Sequence, residues 1–357
     1  MLNAKLSSLR LDGPFTLQNG AVLPEVKFAF HTYGELNASG TNAIVVLHAL
    51  TGSSAAHEWW SGLVGENRLL DPRKYFIIAP NLLGSCYGTT GPESVNPQTD
   101  QPYLASFPEI TVRDIARATL GLLDKLEVNE IRLAIGGSLG GMVVLEMALL
   151  APERFHAIAP IAVSESHSAW RVAFSSYIRK AITAFDPTLD DRNKLIQGMN
   201  LARQIAMVSY RSSAEFEERF GRRETRPGYF EVESYLEHQG EKLAARFSPY
   251  SYLTLTRAME LYDLANGRGA LREAAASLHA KALFIGISSD ILYGADEIKE
   301  FASLFPHGRY RTLHAIHGHD SFLVDTEALA KLLAPLLEEW ETPLALQHET
   351  TPEGVTA

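Results

Sequence analysis

The chain has 357 residues, of which 46% are hydrophobic, and a formal net charge of −10 at neutral pH. This length is enough for a full hydrophobic core, in one large domain or in one domain with an insertion. The acidic balance argues against a nucleic-acid partner, and no run approaches the roughly 18 apolar residues that a membrane span needs.

The first 13 residues lack the apolar segment of a signal peptide. A single cysteine, Cys86, excludes an internal disulfide. Both features are expected of a cytoplasmic protein. The sequence has no C-x-x-C, H-E-x-x-H or phosphate-binding glycine-rich motif, so neither a metal site nor a permanently bound cofactor is expected.

Short apolar runs bounded by turn residues predict the strands of a mostly parallel sheet. They are residues 43–47, 75–80, 131–135, 157–163 and 282–287. Helical patterns at 111–126 and 142–150 separate several of these runs, which favours an α/β architecture with helices on both faces of the sheet. Two earlier runs, 15–17 and 25–33, are expected to form an antiparallel edge.

The middle of the chain differs, because residues 170–266 contain helical patterns and no buried-strand run. Their charge is nearly balanced, with 14 Lys and Arg against 13 Asp and Glu. That balance alone favours an ordinary solvated subdomain, although it would also suit an anionic ligand. We therefore predict a core of residues 1–169 and 267–340, a helical lid at 170–266, and a polar tail at 341–357.

The most specific motif is Gly136-Gly-Ser138-Leu-Gly140, between the predicted strand 131–135 and helix 142–150. It matches G-x-S-x-G, a sharp strand-to-helix turn that lifts a serine hydroxyl above the sheet. Gly136 and Gly140 stand where a Cβ atom would collide. The turn also brings backbone amides and a helix dipole to the serine. Ser138 is therefore the predicted nucleophile; the alternative is a plain glycine-rich turn.

A catalytic serine requires a base and a residue that orients the base. In proteins with this elbow, the acid and then the histidine follow the serine along the chain. Asp290 follows the predicted strand 282–287 and is the candidate acid. Asp296 is the competing candidate, and a loop aspartate that only caps a turn is the alternative interpretation of Asp290.

The candidate base is His319, which lies beside a glycine between the predicted strand 309–314 and the predicted helix 321–333. A loop after the last strand can bring an imidazole over the serine. His317 and His314 are the alternatives.

Two backbone amides are needed to stabilise the oxyanion that forms during acyl transfer. One is expected from Leu139, directly after the nucleophile. The other is expected from Leu50, in the loop 48–52 after an early strand; the alternative is a turn that simply ends that strand.

Further segments share their sequence with one known family. With the motifs above, they are 48–52 (HALTG), 81–84 (NLLG), 88–92 (GTTGP), 96–97 (NP), 107–114 (FPEITVRD), 136–142 (GGSLGGM), 201–206 (LARQIA), 209–212 (SYRS), 251–259 (SYLTLTRAM), 289–290 (SD) and 318–323 (GHDSFL). On these segments, the chain from about residue 12 to residue 338 resembles the homoserine O-acyltransferases of the α/β-hydrolase superfamily.

The resemblance implies an α/β-hydrolase fold and transfer of an acetyl or succinyl group from acyl-CoA to the hydroxyl of homoserine, a step of methionine biosynthesis. It assigns the triad to Ser138, Asp290 and His319. It also implies acetyl-CoA as the co-substrate. In addition, it implies a homodimer that forms through the helical insertion.

The resemblance further assigns substrate binding to Arg203 and Asp320, with Tyr210 nearby. An arginine can bind the substrate carboxylate through two hydrogen bonds, and an aspartate can pair with the ammonium. The alternatives are a surface ion pair for Arg203, a helix cap for Asp320 and a core position for Tyr210.

The chain departs from the family pattern at Leu139, Val143 and Gly294, where methionine, glutamine and proline are common. These departures leave other possibilities open: a succinyl donor, serine or another alcohol as acceptor, or hydrolysis by the same triad. We predict an acetyl donor, because Leu50, Leu139, Met142 and Val143 are apolar and an unpaired succinyl carboxylate among them would be costly.

Overall fold

The fold is described by a computed structural model that covers residues 4–341. The predicted polar tail, apart from Glu341 at its start, lies outside the described residues.

The strands are β1 (Lys5–Arg10), β2 (Phe15–Thr16), β3 (Val22–Leu23), β4 (Lys27–Tyr33), β5 (Ala43–Leu47), β6 (Phe76–Pro80), β7 (Val95–Asn96), β8 (Gln101–Pro102), β9 (Ile131–Gly137), β10 (Ala157–Ile161), β11 (Glu224–Arg226), β12 (Tyr229–Phe230), β13 (Lys281–Ile287) and β14 (Gly308–Leu313). The helices are α1 (Ala56–Trp59), α2 (Val112–Lys125), α3 (Leu139–Leu150), α4 (Ala169–Thr183), α5 (Arg192–Tyr210), α6 (Ser213–Arg219), α7 (Glu231–Ala244), α8 (Pro249–Glu260), α9 (Leu271–Ala276), α10 (Ala295–Ala302), α11 (Ser321–Val324) and α12 (Thr326–Glu341). Short 3₁₀ helices lie at Leu104–Ser106, Pro152–Arg154 and Gly318–Asp320.

Eight strands form the main sheet, in the order β1-β4-β6-β5-β9-β10-β13-β14. From β6 to β14 every neighbouring pair is parallel, whereas β4 runs antiparallel to both β1 and β6. The predicted α/β fold with a mostly parallel sheet is therefore confirmed.

Both faces of the sheet are covered, which explains why its central strands are apolar throughout. In β5, Val45 packs into the hydrophobic cluster on one face, and Ile44 and Val46 pack into the cluster on the other face. Successive side chains of a strand point in opposite directions, so each strand contributes to both clusters.

The five predicted core strands and two predicted core helices are present, with ends that differ by a few residues. The antiparallel edge differs from the prediction. Residues 27–33 do join the main sheet, but their outer partner is Lys5–Arg10, whereas Phe15–Thr16 pairs with Val22–Leu23 in a separate small sheet. The polar Lys5–Arg10 segment is largely exposed, so it has no buried run that could have predicted it.

Helices α4 to α8 lie between β10 and β13 in the chain, together with the short exposed hairpin β11–β12. The two connections to these helices run side by side: Leu264 N–H donates to Glu165 O at 2.9 Å, and His167 N–H donates to Tyr262 O at 3.3 Å. The chain therefore leaves the sheet layer and returns to it at one place.

Within residues 4–341, no helix is both long enough and apolar enough to cross a membrane.

Candidate active site

Ser138 lies at a sharp turn between β9 and α3, at the carboxyl edge of the sheet. Its backbone has φ 55° and ψ −122°, which is uncommon for a residue with a side chain. The Ser138 N–H donates to Ile161 O at 2.9 Å, so the turn is attached to the neighbouring strand β10. Tertiary contacts thus hold the serine in a strained conformation.

The glycines around Ser138 are required by close backbone contacts. A Cβ atom on Gly136 would lie 2.5 Å from the Gly140 carbonyl carbon, and one on Gly140 would lie 2.3 Å from Leu47 O. The elbow thus packs directly against the end of β5, where the loop that contains Leu50 begins.

His319 and Asp290 form a buried pair beside the elbow. His319 Nδ1 donates to Asp290 Oδ2 at 2.6 Å, and both side chains are almost inaccessible to solvent. The other carboxylate oxygen of Asp290 accepts from the N–H groups of Leu292 and Tyr293. Asp290 therefore caps its own loop and also fixes the imidazole tautomer, which leaves Nε2 as the acceptor nitrogen.

The competing residues lie elsewhere. His317 Nδ1 is 2.8 Å from Asp325 Oδ2, so a different carboxylate engages this ring. His314 is exposed, and Asp296 is an exposed residue in the first turn of α10. Of the candidate acids and bases, the structure brings together Asp290 and His319.

The environment of His319 makes it a stronger base than a free imidazole. Burial on its own lowers the pKa of His319, but the Asp290 carboxylate and its hydrogen bond outweigh that effect, so the pKa is raised above 6.5. The Tyr293 ring stacks on the imidazole at 5.4 Å, and the Phe322 ring meets it edge-on at 5.7 Å. These aromatic contacts fix the plane of the imidazole.

Leu50 and Leu139 are the proposed oxyanion donors. The Leu50 N–H donates to no described residue. Leu139 is the first residue of α3, and an N–H at that position has no partner within the helix. Within residues 4–341, these two amides therefore have no hydrogen-bond acceptor, as an oxyanion site requires.

His48 organises the loop that carries Leu50, a role that sequence reasoning did not identify. Its Nδ1 donates to Ala49 O at 2.7 Å, and its Nε2 accepts from the Leu82 N–H at 3.1 Å. Complete burial lowers the pKa of His48 to about 4, so the ring is neutral at physiological pH. The position of His48 at the start of the HALTG segment is the sequence feature that could have indicated this role.

A cavity of about 600 Å³ opens above Ser138 and His319. The loop 48–53 lines one side, and helices α5 and α8 contribute side chains that include Arg203, Tyr210 and Tyr252. The cavity therefore lies between the sheet and helices α4 to α8.

Arg203 lines this cavity, and no carboxylate of the described residues engages it. Its guanidinium lies over the Tyr210 ring, 5.3 Å from the centroid. The predicted proximity of Arg203 and Tyr210 on one helix face is therefore observed, and the surface ion pair considered for Arg203 is not formed. Tyr210 itself packs against the core and also lines the cavity.

Asp320 also lines the cavity, but it has a cationic neighbour. Its Oδ2 lies 3.3 Å from Arg211 Nε, and Arg211 pairs with Glu215 as well. Asp320 stands at the N-terminus of α11 without a side-chain capping bond. The capping alternative is therefore not realised, and Oδ1 is the oxygen available to a ligand.

The backbone of Gly318 explains how His319 and Asp320 reach the cavity. Gly318 has φ 65°, and a Cβ atom there would lie 2.7 Å from Tyr210 O. The loop therefore packs closely against the end of α5, which carries the substrate-binding candidates.

Arg171 was also missed at the level of sequence. It is almost fully buried and binds the Glu297 carboxylate, the Leu292 carbonyl and the Ser166 carbonyl. Its guanidinium also lies 4.3 Å from the Tyr293 ring centroid. Arg171 thus connects α4 to the loop that carries Asp290. Nothing in its local sequence distinguishes it from the other arginines of residues 170–266.

Cys86 does not have the properties of a reactive thiol. It packs against the core, and burial raises its pKa to about 11.

The arrangement has the parts required for acyl transfer through a serine ester: a strained serine, a buried His–Asp pair, two free amides and a large adjoining cavity. The Arg203 guanidinium, which no carboxylate of residues 4–341 engages, offers a site for a carboxylate.

The comparisons with known proteins agree with this chemistry. A family model described as the α/β hydrolase fold matches residues 42–326. A homoserine O-acetyltransferase from Trichormus variabilis is 47% identical, over 90% of this chain and 90% of that protein.

Solved structures show the fold. The homoserine O-acetyltransferase of Bacillus anthracis has a TM-score of 0.85 and 22% identity, over 94% of this chain and 98% of that one. Esterase E22 gives the same score and identity, over 94% of this chain and 100% of that one. The fold alone therefore does not separate transfer from hydrolysis, and the closer sequence relationship decides the family: the chain belongs to the homoserine O-acetyltransferases, which have the α/β-hydrolase fold.

Proposed function

We propose that this protein transfers an acetyl group from acetyl-CoA to the hydroxyl of L-homoserine, through an acyl-enzyme on Ser138. The observation that carries this proposal is the cavity that joins Ser138 and His319 to the unpaired guanidinium of Arg203. A simple esterase has no need for a carboxylate site beside its serine, whereas an amino-acid acceptor requires one.

In the first half-reaction, His319 Nε2 takes the proton of the Ser138 hydroxyl as Oγ attacks the thioester carbon. The Leu50 and Leu139 amides donate to the developing oxyanion. The carbon–sulfur bond breaks, and the imidazolium returns the proton to the CoA sulfur. Acetyl-Ser138 remains.

In the second half-reaction, the hydroxyl of homoserine takes the place of CoA. His319 removes its proton while the alcohol oxygen attacks the acetyl carbonyl, and the proton then returns to Ser138 Oγ. The products are O-acetylhomoserine and free enzyme. Asp290 holds the ring and stabilises its charged form in both steps.

We assign acceptor binding to Arg203 and Asp320. Arg203 binds the carboxylate, and Asp320 Oδ1 accepts from the ammonium while Oδ2 stays with Arg211. Tyr210 supports the Arg203 guanidinium from one face. A charged amino acid held at both ends places its hydroxyl toward the serine and displaces water that would otherwise hydrolyse the ester.

An acetyl donor fits the charges of the site better than a succinyl donor. The lining of the cavity differs from the expectation of four apolar residues. Leu50 lines the cavity, whereas Leu139, Met142 and Val143 are buried behind it. Arg211, a possible partner for a succinyl carboxylate, is engaged by Glu215 and Asp320. The kcat/KM values for the two donors test this preference.

The decisive experiment follows CoA release from acetyl-CoA with and without L-homoserine, and identifies the product by mass spectrometry. We expect release to depend on homoserine and to yield O-acetylhomoserine, with L-serine as a poorer acceptor. Equal release without an acceptor would identify a hydrolase instead.

Three further features belong to the same proposal. Residues 170–266 act as a lid on a core of residues 1–169 and 267–340. The lid also forms a homodimer interface, supported by exposed apolar side chains on α4 and α5. A cytoplasmic location fits the biosynthetic reaction and the single cysteine.

A further inference from the structure

The charged residues that line the cavity divide into an inner and an outer group. Arg171 and Arg203 lie inside, whereas Lys242 and Arg246 are solvent-exposed and line the same cavity, which places them at its mouth. Lys242 lies in the last turn of α7, and Arg246 follows four residues later in the turn that ends the helix.

The two outer cations are not neutralised by the protein. Among the described residues, neither forms an ion pair with a carboxylate. Arg246 donates through Nη1 to Thr51 O at 2.8 Å and to the Tyr87 hydroxyl at 2.5 Å. Those bonds hold the guanidinium across the mouth, next to the loop of Leu50, and its Nε and Nη2 groups remain available for a bidentate contact.

We propose that Lys242 and Arg246 bind the phosphate groups of the CoA donor, and this inference rests on the acetyl-CoA-dependent function proposed above. The acyl carbon must reach Ser138 at the base of the cavity, and the flexible pantetheine arm separates that carbon from the phosphates. The phosphates therefore stay near the mouth. In a chain of net charge −10, an unpaired cation pair there is the local feature that attracts a polyanion.

Arg246 has a second consequence because it contacts Thr51, one residue after Leu50. A phosphate bound to its Nε and Nη2 edge fixes the guanidinium and, through Thr51 O, the loop that carries one oxyanion donor. Donor binding at the mouth is thus linked to the reacting centre through a single side chain.

Glu58 provides a control, because its charge is opposite to that of Lys242 and Arg246 and its removal should have the opposite effect. It is exposed and lines the same cavity, so its carboxylate repels the donor phosphates that Lys242 and Arg246 attract. Glu58→Gln should therefore improve the use of acetyl-CoA while the two cation variants weaken it.

The test compares acetyl-CoA with S-acetylpantetheine, a thioester without the nucleotide and phosphates, at saturating homoserine. For acetyl-CoA, kcat/KM should fall about fivefold in Lys242→Ala, about tenfold in Arg246→Gln and about 30-fold in the double variant. For S-acetylpantetheine the loss should be at least tenfold smaller in the double variant. Arg222→Ala, on the exposed surface of the lid, is the matched control.

Direct binding gives a readout that does not depend on catalysis. Adenosine 3′,5′-bisphosphate should bind the wild type in calorimetry, weaken with added salt and bind the double variant at least tenfold more weakly. Equal losses with both donors, or unchanged bisphosphate binding, would overturn the inference. Failure of the wild type to acetylate homoserine with either donor would instead overturn the proposed function, so the two failures are distinguishable.

Discussion

Ser138 combines a strained backbone with a hydroxyl that forms no hydrogen bond to another described residue. The strain is maintained by the Gly136–Gly140 contact and by the bond to Ile161. Such a conformation is costly and is typical of functional positions. Removal of the hydroxyl should therefore affect chemistry and leave the packing intact.

We expect Ser138→Ala to lose at least about 1,000-fold in acetyl transfer, because removal of a nucleophile usually eliminates most of the rate. Its thermal unfolding should match the wild type. Brief exposure to acetyl-CoA should give an acetyl adduct on Ser138 in the wild type alone, detected by peptide mass spectrometry. Transfer at the wild-type rate would show that another residue is the nucleophile.

Arg203 should matter for the acceptor and not for the donor. Arg203→Ala removes the carboxylate partner, and an interaction with a charged group of this kind contributes about 2 to 3 kcal/mol, so KM for homoserine should rise about 30-fold or more. Acetylation of the enzyme, measured as the initial burst of CoA release, should stay close to the wild type.

Arg226→Ala is the control for that measurement, because this exposed lid arginine does not line the cavity. A burst that falls as much as the full reaction would show that Arg203 serves the donor or the fold.

At the scale of elements, α4 and the loop after β13 form one unit through Arg171. This side chain binds Glu297 and Leu292 O, and it packs on the Tyr293 ring that stacks against His319. Arg171 touches neither Asp290 nor His319 through a hydrogen bond. It is therefore a positioning residue.

Loss of Arg171 should move the acid limb of the pH profile of kcat/KM to higher pH. Its positive charge opposes protonation of His319, so Arg171→Met should raise the pKa of His319 further above 6.5. Because the base acts in its neutral form, the acid limb of kcat/KM should move to higher pH. Arg171→Lys keeps the positive charge, so its acid limb should lie close to that of the wild type. An acid limb that does not move in Arg171→Met would show that Arg171 does not influence His319.

His48 should make the unfolding free energy depend on pH. Its pKa of about 4 in the folded state lies below the ordinary 6.5, so the unfolded chain binds a proton in this interval and the folded chain does not. The contribution of neutral, buried His48 to the unfolding free energy is fully present above pH 6.5. It is lost as the pH falls toward 4, by up to roughly 3 kcal/mol.

Denaturant unfolding of the wild type and of His48→Asn at several pH values measures this effect. The variant should have a flatter dependence on pH between 6.5 and 4. The same slope in His48→Asn and the wild type would show that His48 titrates normally.

Buried elements were easier to predict from the sequence than exposed ones. The strand at 43–47 is buried on both faces and was predicted with its observed ends. The edge strand Lys5–Arg10 is mostly exposed and was missed, and the predicted helix 321–333 is in fact interrupted at Asp325, between α11 and α12. A break of one residue does not alter the apolar pattern, so periodicity does not reveal it.

For the whole molecule, the meeting of the loops that carry Ser138, Asp290 and His319 was predictable, because the elbow fixes the place of the serine and the strand order fixes which loops lie beside it. The interactions across the cavity were not. Arg171 reaches Glu297 across 126 positions of the sequence, and Arg246 reaches Tyr87 across 159. Such pairs depend on how the segment 170–266 packs on the sheet, which local patterns do not encode.

Residues 170–266 should also determine the assembly state. Trp170 and Tyr177, seven residues apart on α4, are 57% and 64% exposed, and Val208 on α5 is 53% exposed. Large apolar side chains exposed in this way commonly mark an interface. We expect the wild type to sediment as a dimer and Trp170→Glu/Tyr177→Glu to sediment as a monomer, because a buried unpaired carboxylate is costly. Leu6→Glu, at an equally exposed leucine on β1, should remain dimeric. A monomeric wild type, or a dimeric double variant, would place the interface elsewhere or eliminate it.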